Sequence, residues 1–214
     1  MAEPKRGWED FGDGTRRRVY GTYGQYVHHQ KSKLKRRLET VRLGQTITTT
    51  FLKDEEFRDN LEKRLANNQH ISKDSQKVLC LGARGGDEVV SFSRLGHDAI
   101  GIDLYPGPNN KYVIEADFHN MPFPDNSMDI LYTNSIDHTH DVSKMLAEVI
   151  RVMKPDGIFL LEFDSKTYHG TWESFWWDSY ESLVCAVEAR GFKRLYKEPF
   201  VCKRAGIGVG FKIK

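Results

Sequence analysis

The stretch Val78-Leu79-Cys80-Leu81-Gly82-Ala83-Arg84-Gly85-Gly86-Asp87-Glu88-Val89-Val90 decides the fold: an apolar run breaks into a glycine-rich turn that opens a helix. Such a turn aims backbone N–H groups and a helix N-terminus at a ligand, which makes it a common cradle for nucleotide-like cofactors. About twenty residues on, Ala99-Ile100-Gly101-Ile102-Asp103 ends a second apolar run on a carboxylate, where both hydroxyls of a ribose could be held.

Outward from this pair, short apolar runs alternate with helical patterns. Strands are expected at 77–81, 98–103, 112–116, 128–134 and 157–163, and helices at 85–95, 141–153 and near 172–190. Two final runs, 192–200 and 206–214, are close enough in sequence to pair antiparallel. This rhythm predicts an α/β fold, a Rossmann-like seven-stranded, mostly parallel sheet with an antiparallel C-terminal strand, preceded by N-terminal helices. Residues 1–18 read as a flexible lead, 19–76 as a helical extension or lid with helices over 20–43 and 54–67, and 77–214 as the main domain.

At 214 residues and 39% hydrophobic composition the chain holds one well-cored domain plus an extension. No run approaches the length of a membrane span, and the start, Met1-Ala2-Glu3-Pro4-Lys5-Arg6, lacks the apolar core of a secretory signal, so a soluble, cytoplasmic protein is expected. The cysteines, Cys80, Cys185 and Cys202, are odd in number and far apart, which fits neither a disulfide framework nor a zinc site; reduced, buried thiols are expected. A net charge of +2 hides an asymmetry, since residues 1–53 carry twelve Lys or Arg against five Asp or Glu. The basic runs Arg16-Arg17-Arg18 and 31–37 read as solvated faces more readily than as an anion grip, and nucleic acid is not expected as a partner.

The order Gly-x-x-Gly-Gly at Gly82, Gly85 and Gly86 departs from the dinucleotide pattern and is followed at once by Asp87 and Glu88. Two acids at a helix N-terminus disfavour a pyrophosphate but tolerate a zwitterionic or cationic ligand such as S-adenosylmethionine, with its ammonium and sulfonium.

Here the sequence resembles the class I S-adenosylmethionine-dependent methyltransferases of the type 11-like kind. Four motifs match in order: 78–86, Gly101-Ile102-Asp103, Glu115-Ala116-Asp117-Phe118, and Met128-Asp129-Ile130-Leu131-Tyr132-Thr133-Asn134-Ser135. The link Met121-Pro122-Phe123-Pro124-Asp125-Asn126-Ser127 and the later Arg151-Val152-Met153-Lys154-Pro155-Asp156-Gly157 are also typical. The resemblance implies that Gly82, Ala83, Arg84, Gly85 and Gly86 hold the methionine part, Asp103 with Leu104 the ribose, Asp117 the adenine amino group and Phe118 the ring, with Asn134 and Ser135 completing the cofactor wall. Asp103 and Asp117 also read as strand-end caps. Cys80 stands where the family often has an acid, and Arg84 where it has a glycine; Arg84 pairs either with the cofactor carboxylate or with Asp87 or Glu88. The segment 23–33 resembles an N-terminal helix that closes over the pocket, with Tyr26, His29, Gln30 and Lys33 as candidates if its polar face does not simply meet solvent.

Methyl transfer to an alcohol requires alignment and a base near the donor methyl. Asn134-Ser135-Ile136-Asp137-His138-Thr139-His140-Asp141 follows the fourth strand, so Asp137 and His138 are the catalytic candidates and His140 a substrate contact, while Asp141 reads equally as a helix cap. The same cluster offers metal ligands, but without the spacing of a zinc site, and a divalent metal is not favoured. Tyr168, His169, Trp172 and Trp177 are candidates for an aromatic acceptor pocket, whereas Trp176, Tyr180, Leu183 and Val187 share a helical face. The expected activity is S-adenosylmethionine-dependent O-methyl transfer to a hydroxyl of a sugar, glycan or related small molecule. A weaker resemblance to glycan-modifying domains, including those of viral multidomain glycosyltransferases, points the same way. The alternatives are a nucleic-acid or protein methyltransferase and a non-catalytic cofactor-binding module. Oligomeric state is not legible.

Overall fold

The computed structural model describes residues 7–42, 55–107, 109–164, 170–202 and 204–214, with the side chains of 33–42, 202 and 204 outside the description. The chain opens with a hairpin of β1 (Trp8–Asp10) and β2 (Thr15–Arg18), followed by helices α1 (Tyr23–Arg42) and α2 (Glu55–Asn67). The alternating core follows: β3 (Lys77–Leu81), α3 (Asp87–Arg94), β4 (Asp98–Asp103), β5 (Val113–Glu115), β6 (Met128–Thr133), α4 (Val142–Val152) and β7 (Met153–Asp164). Then come β8 (Phe175–Trp177), α5 (Tyr180–Glu188), β9 (Phe192–Cys202) and β10 (Arg204–Ile213).

Seven strands form one sheet in the order β5-β4-β3-β6-β7-β10-β9. The pairs among β5, β4, β3, β6 and β7 are parallel, and only β10 runs against its neighbours, as the sequence predicts. A parallel sheet must be covered on both faces, which is why its strands are near-continuous apolar runs. On one face Leu61 and Leu65 of α2 and Val89 and Phe92 of α3 pack on Val78, Cys80, Ile130 and Tyr132. On the other, Met145, Leu146 and Val149 of α4 and Leu183 and Val187 of α5 pack on Leu79, Leu131, Phe159 and Phe211. Chain order reverses about β3, so the crevice beyond the carboxyl ends of β3 and β6 is the place for a ligand.

Three expectations are corrected. The lead is not featureless: β1, β2 and β8 form a second, three-stranded sheet, with Thr15 opposite Trp177 and Arg17 opposite Phe175. Low hydropathy conceals it, because its residues are held by ion pairs and by a strand far along the chain. The helix expected near 172–190 begins only at Tyr180, where the Ser179 side chain caps it by accepting from the Ser182 N–H. The aromatic run before it takes the extended form its residues favour, so Trp176 belongs to a strand and not to a helix face. Cys80 is buried as expected, but Cys185 is exposed; the Cys202 side chain lies outside the described residues.

The basic run of the hairpin is also accounted for. Arg16 pairs with Asp10 and stacks on Trp176, Arg17 pairs with Glu9, and Arg18, 5% exposed, donates to the carbonyls of Glu173 at 2.8 Å and Gly170 at 3.1 Å.

Candidate functional site

A crevice open to solvent lies at the carboxyl ends of β3, β4 and β6, where a sheet of this kind receives its ligand. One wall is the glycine loop with the end of β4: Gly82, Arg84, Asp103, Leu104 and Tyr105. The other is built from α1 and the segment after β6: Tyr26, Gln30, Ser135 and His138, with Phe118 between the walls. Tyr105 is the lining residue that sequence reasoning missed, and its position two residues after Asp103 was the available signal.

The glycine loop follows from its φ angles. Gly82 has φ +68°, and a Cβ there would sit 2.8 Å from the Ser135 Cβ, closing the crevice. Gly86 caps α3 at φ +93°, where a Cβ would lie 2.6 Å from that of Tyr112. Arg84 adopts φ +36° despite its side chain, a strained choice where the family resemblance has glycine. The Ala83 N–H donates to the Ile102 carbonyl at 3.0 Å, and Ala83 itself is buried; Gly85 lies within the turn. The Asp103 carboxylate accepts from the backbone N–H of Arg84 at 3.1 Å and of Tyr105 at 2.8 Å while lining the crevice. The capping and ligand readings of Asp103 therefore coexist, because a carboxylate has about four acceptor positions. The pairing alternatives for Arg84 narrow, since Asp87 is paired with Arg58, and Glu88 is buried and bonded to Asn134. Asp87 is thus a neutralised acid, which weakens the electrostatic case built on two bare carboxylates.

Asp117 differs from Asp103. Its carboxylate accepts from the His119 N–H at 2.9 Å, faces His119 Nδ1 at 2.8 Å, and accepts from the Tyr23 hydroxyl. Burial alone would raise this carboxyl, but the hydrogen bonds to His119 hold it below its ordinary range. Phe118, not Asp117, lines the crevice. An adenine contact at Asp117 would have to displace Tyr23 or use the remaining lone pairs. Behind it, His140 packs against Tyr26 at 4.3 Å and His119 at 4.5 Å between ring centroids, a half-buried position whose desolvation drives its imidazole down to about 4. His140 is therefore a packing residue of the α1 contact and not a crevice residue.

The α1 wall is held by contacts from distant parts of the chain. Gln30 Nε2 donates to the Trp172 carbonyl and to Ser174 Oγ, both at 2.9 Å. His29 bridges the Tyr20 hydroxyl and the Thr171 carbonyl and stacks on Trp172, so it supports the wall from behind. His138 Nδ1 meets the same Trp172 carbonyl at 3.2 Å, and its Nε2 lies 3.8 Å from Asp137 Oδ2. Asp141 caps α4 by accepting from the Lys144 N–H. The four residues offered as a metal cluster thus diverge, and among the described residues no three such side chains converge as ligands. Trp177, expected in the acceptor pocket, is instead buried against Phe163 and Phe175. Tyr168, His169 and the Lys33 side chain lie outside the described residues.

An adenosyl cofactor fits this donor set. The Tyr26 hydroxyl is buried on the crevice wall with no hydrogen-bond partner among the described residues, and the Asp103 carboxylate, an acceptor, lines the same crevice. Among the described residues no helix is long and apolar enough to cross a membrane.

The comparisons with known proteins agree. A family profile described as "Methyltransferase domain" matches residues 79–161. An uncharacterized methyltransferase, YcgJ, of Bacillus subtilis (strain 168) is 33% identical over 99 residues, 40% of this chain and 39% of that protein. A sterol 24-C-methyltransferase, ERG6B, of Gibberella zeae is 33% identical over 125 residues, 48% of this chain and 33% of that protein. The chain spans less than half the length of these curated relatives. Among solved structures, the 1,6-didemethyltoxoflavin-N1-methyltransferase of Burkholderia thailandensis, with its substrate and S-adenosylhomocysteine bound, superposes with TM-score 0.67 at 14% identity, covering 100% of this chain and 98% of that one. Residues 79–161 match a methyltransferase domain, and the strand order and crevice agree with the fold of the solved methyltransferase structures.

Proposed function

We propose that this protein transfers a methyl group from S-adenosylmethionine to a hydroxyl of a sugar, glycan or related small molecule, with His138 as the base. The observation that carries this reading is the hydrogen bond between His138 Nδ1 and the Trp172 carbonyl, on a wall of the same crevice as Asp103. A carbonyl only accepts, so the neutral ring keeps its proton on Nδ1 and Nε2 is the basic nitrogen. The ring is thus oriented by the Trp172 carbonyl. Asp137 Oδ2 lies 3.8 Å from Nε2, on the side of the ring that would take the hydroxyl proton.

When bound, the cofactor supplies an electrophilic methyl on a sulfonium. Asp103 would hold its ribose hydroxyls, Gly82 and Ser135 would line its amino-acid end, and the Tyr26 hydroxyl would donate to it. Gln30 and His138, tied to one carbonyl, are held in fixed relation, which is what alignment of an acceptor demands. The need for a base favours a hydroxyl over an amine or thiol. Trp172, stacked with His29 beside this wall, suits the face of a sugar ring. The basic hairpin supports no nucleic-acid reading, because its arginines are ion-paired or bonded to carbonyls.

Incubation with labelled S-adenosylmethionine and a panel of sugars, glycans, RNAs and proteins tests this. Label should enter a hydroxyl acceptor, and His138→Ala should lower turnover about 10²- to 10⁴-fold with cofactor affinity retained. Label in RNA or protein, or wild-type turnover by His138→Ala across pH, overturns it.

A further inference from the structure

Glu88 sits in the first turn of α3, 8% exposed, and no part of the cofactor reading above uses its carboxylate. Its Oε1 accepts from Asn134 Nδ2 at 2.9 Å. Asn134 Oδ1 lies 3.1 Å from Ser135 Oγ, which is 3.4 Å from the Gly82 carbonyl, and both Ser135 and Gly82 line the crevice. An ionised carboxylate accepts only, so Glu88 decides which end of the Asn134 amide faces it, and the opposite end, an acceptor, faces Ser135. A serine hydroxyl has one proton. Given to Asn134 Oδ1, the shorter contact, it leaves oxygen lone pairs for the crevice.

We infer that Glu88 is a positioning residue: through Asn134 it commits the Ser135 proton and makes the Ser135 oxygen an acceptor for the ammonium or other N–H and O–H groups of the cofactor. The inference rests on the cofactor reading above. It explains why Asn134, expected on the wall, stands one step behind it.

The surroundings make this acid responsive. Cys80 on β3, Tyr132 on β6, Glu162 on β7 and Asp87 on α3 all bear on it, while the two arginines of α2 are engaged elsewhere, Arg64 with Glu162 and Arg58 with Asp87 and Glu55. Burial pushes the Glu88 carboxyl up to about 7, against the hydrogen bond from Asn134. Below that pH a protonated Glu88 donates, the amide is free to turn, and Ser135 no longer has a set polarity. The same shift destabilises the fold as pH rises from the ordinary carboxylate range through about 7, since the folded state then holds a buried charge.

Calorimetry with S-adenosylmethionine tests the relay without knowledge of the acceptor. Glu88→Leu and Ser135→Ala should each weaken binding about threefold to tenfold, the double variant should lose no more than either alone, and Glu88→Gln should retain part of the affinity. Wild-type affinity should fall as pH drops through about 7, and Glu88→Gln should remove that dependence. Undiminished binding by Glu88→Leu, or full additivity with Ser135→Ala, overturns the inference. Should Glu88→Leu not fold, a wild-type pH profile in Glu88→Gln overturns it instead. If the wild-type protein takes up no S-adenosylmethionine at all, the cofactor reading falls and the inference with it, a result distinct from tight binding by the variant.

Discussion

The two walls of the crevice are built in opposite ways. Gly82, Arg84, Asp103 and Tyr105 come from two consecutive strand ends, and their bonds are local or between adjacent strands: Arg84 and Tyr105 N–H to Asp103, Ala83 N–H to Ile102. Tyr26, Gln30 and His138 face them from α1 and the turn after β6, and what aligns Gln30 and His138 is a carbonyl at Trp172, in a segment itself gripped by Arg18. The first wall is a property of the sheet; the second is assembled from the chain's beginning, middle and end. A wall built from adjacent strand ends can be rigid, whereas a wall borrowed from extensions gains variety.

Substitutions on each wall can break or sharpen this contrast. The largest binding effect belongs to the local wall: Asp103→Ala, losing two charge-assisted bonds to a diol, should weaken S-adenosylmethionine binding about 10- to 100-fold by calorimetry. Unchanged affinity would leave Asp103 a loop cap only. Next, Arg18→Ala should leave two half-buried carbonyls short of a donor and destabilise the protein by about 1–2 kcal/mol in denaturant melts. Because it loosens the Trp172 segment and not the glycine loop, turnover should fall further than cofactor affinity; an equal loss in both would erase the distinction between the walls. Smallest, Arg84→Gly should relieve the positive φ and stabilise the fold by up to about 1 kcal/mol, with any loss of cofactor affinity reporting the guanidinium's own contact. A destabilised Arg84→Gly would show that the arginine packs better than its backbone angle suggests.

What was legible follows the same division. The strand–glycine–helix unit, the acid ending β4 and the seven-strand alternation are legible because each of their elements is written within about a dozen residues, as a period or a turn. Asp103 and Asp117 looked alike in sequence, both strand-end acids, and both cap their turns with an N–H two residues on. Only packing separates them, since Tyr23 and His119 engage one and the crevice meets the other. The hairpin was missed because Arg16, Arg17 and Arg18 count as polar in any window, although their charges are matched by Glu9 and Asp10 and by distant carbonyls. Trp177 was misplaced because an aromatic run gives no sign of which ring faces the core. Glu88 was noticed as a charge at a helix start, and burial turned it into something else.

Alternation of apolar runs and the flexibility of glycine are local properties, so the sequence by itself determined the sheet and its loop. Which side chains face the crevice, which carbonyl meets His138 Nδ1 and which acid meets Asn134 depend on groups brought together across 30 to 142 positions of the chain, as with Tyr132 and Glu162, 30 apart, or Gln30 and Trp172, 142 apart. Those contacts exist only once tertiary packing has excluded water and brought most buried polar groups to a partner, and so tertiary structure alone decided them.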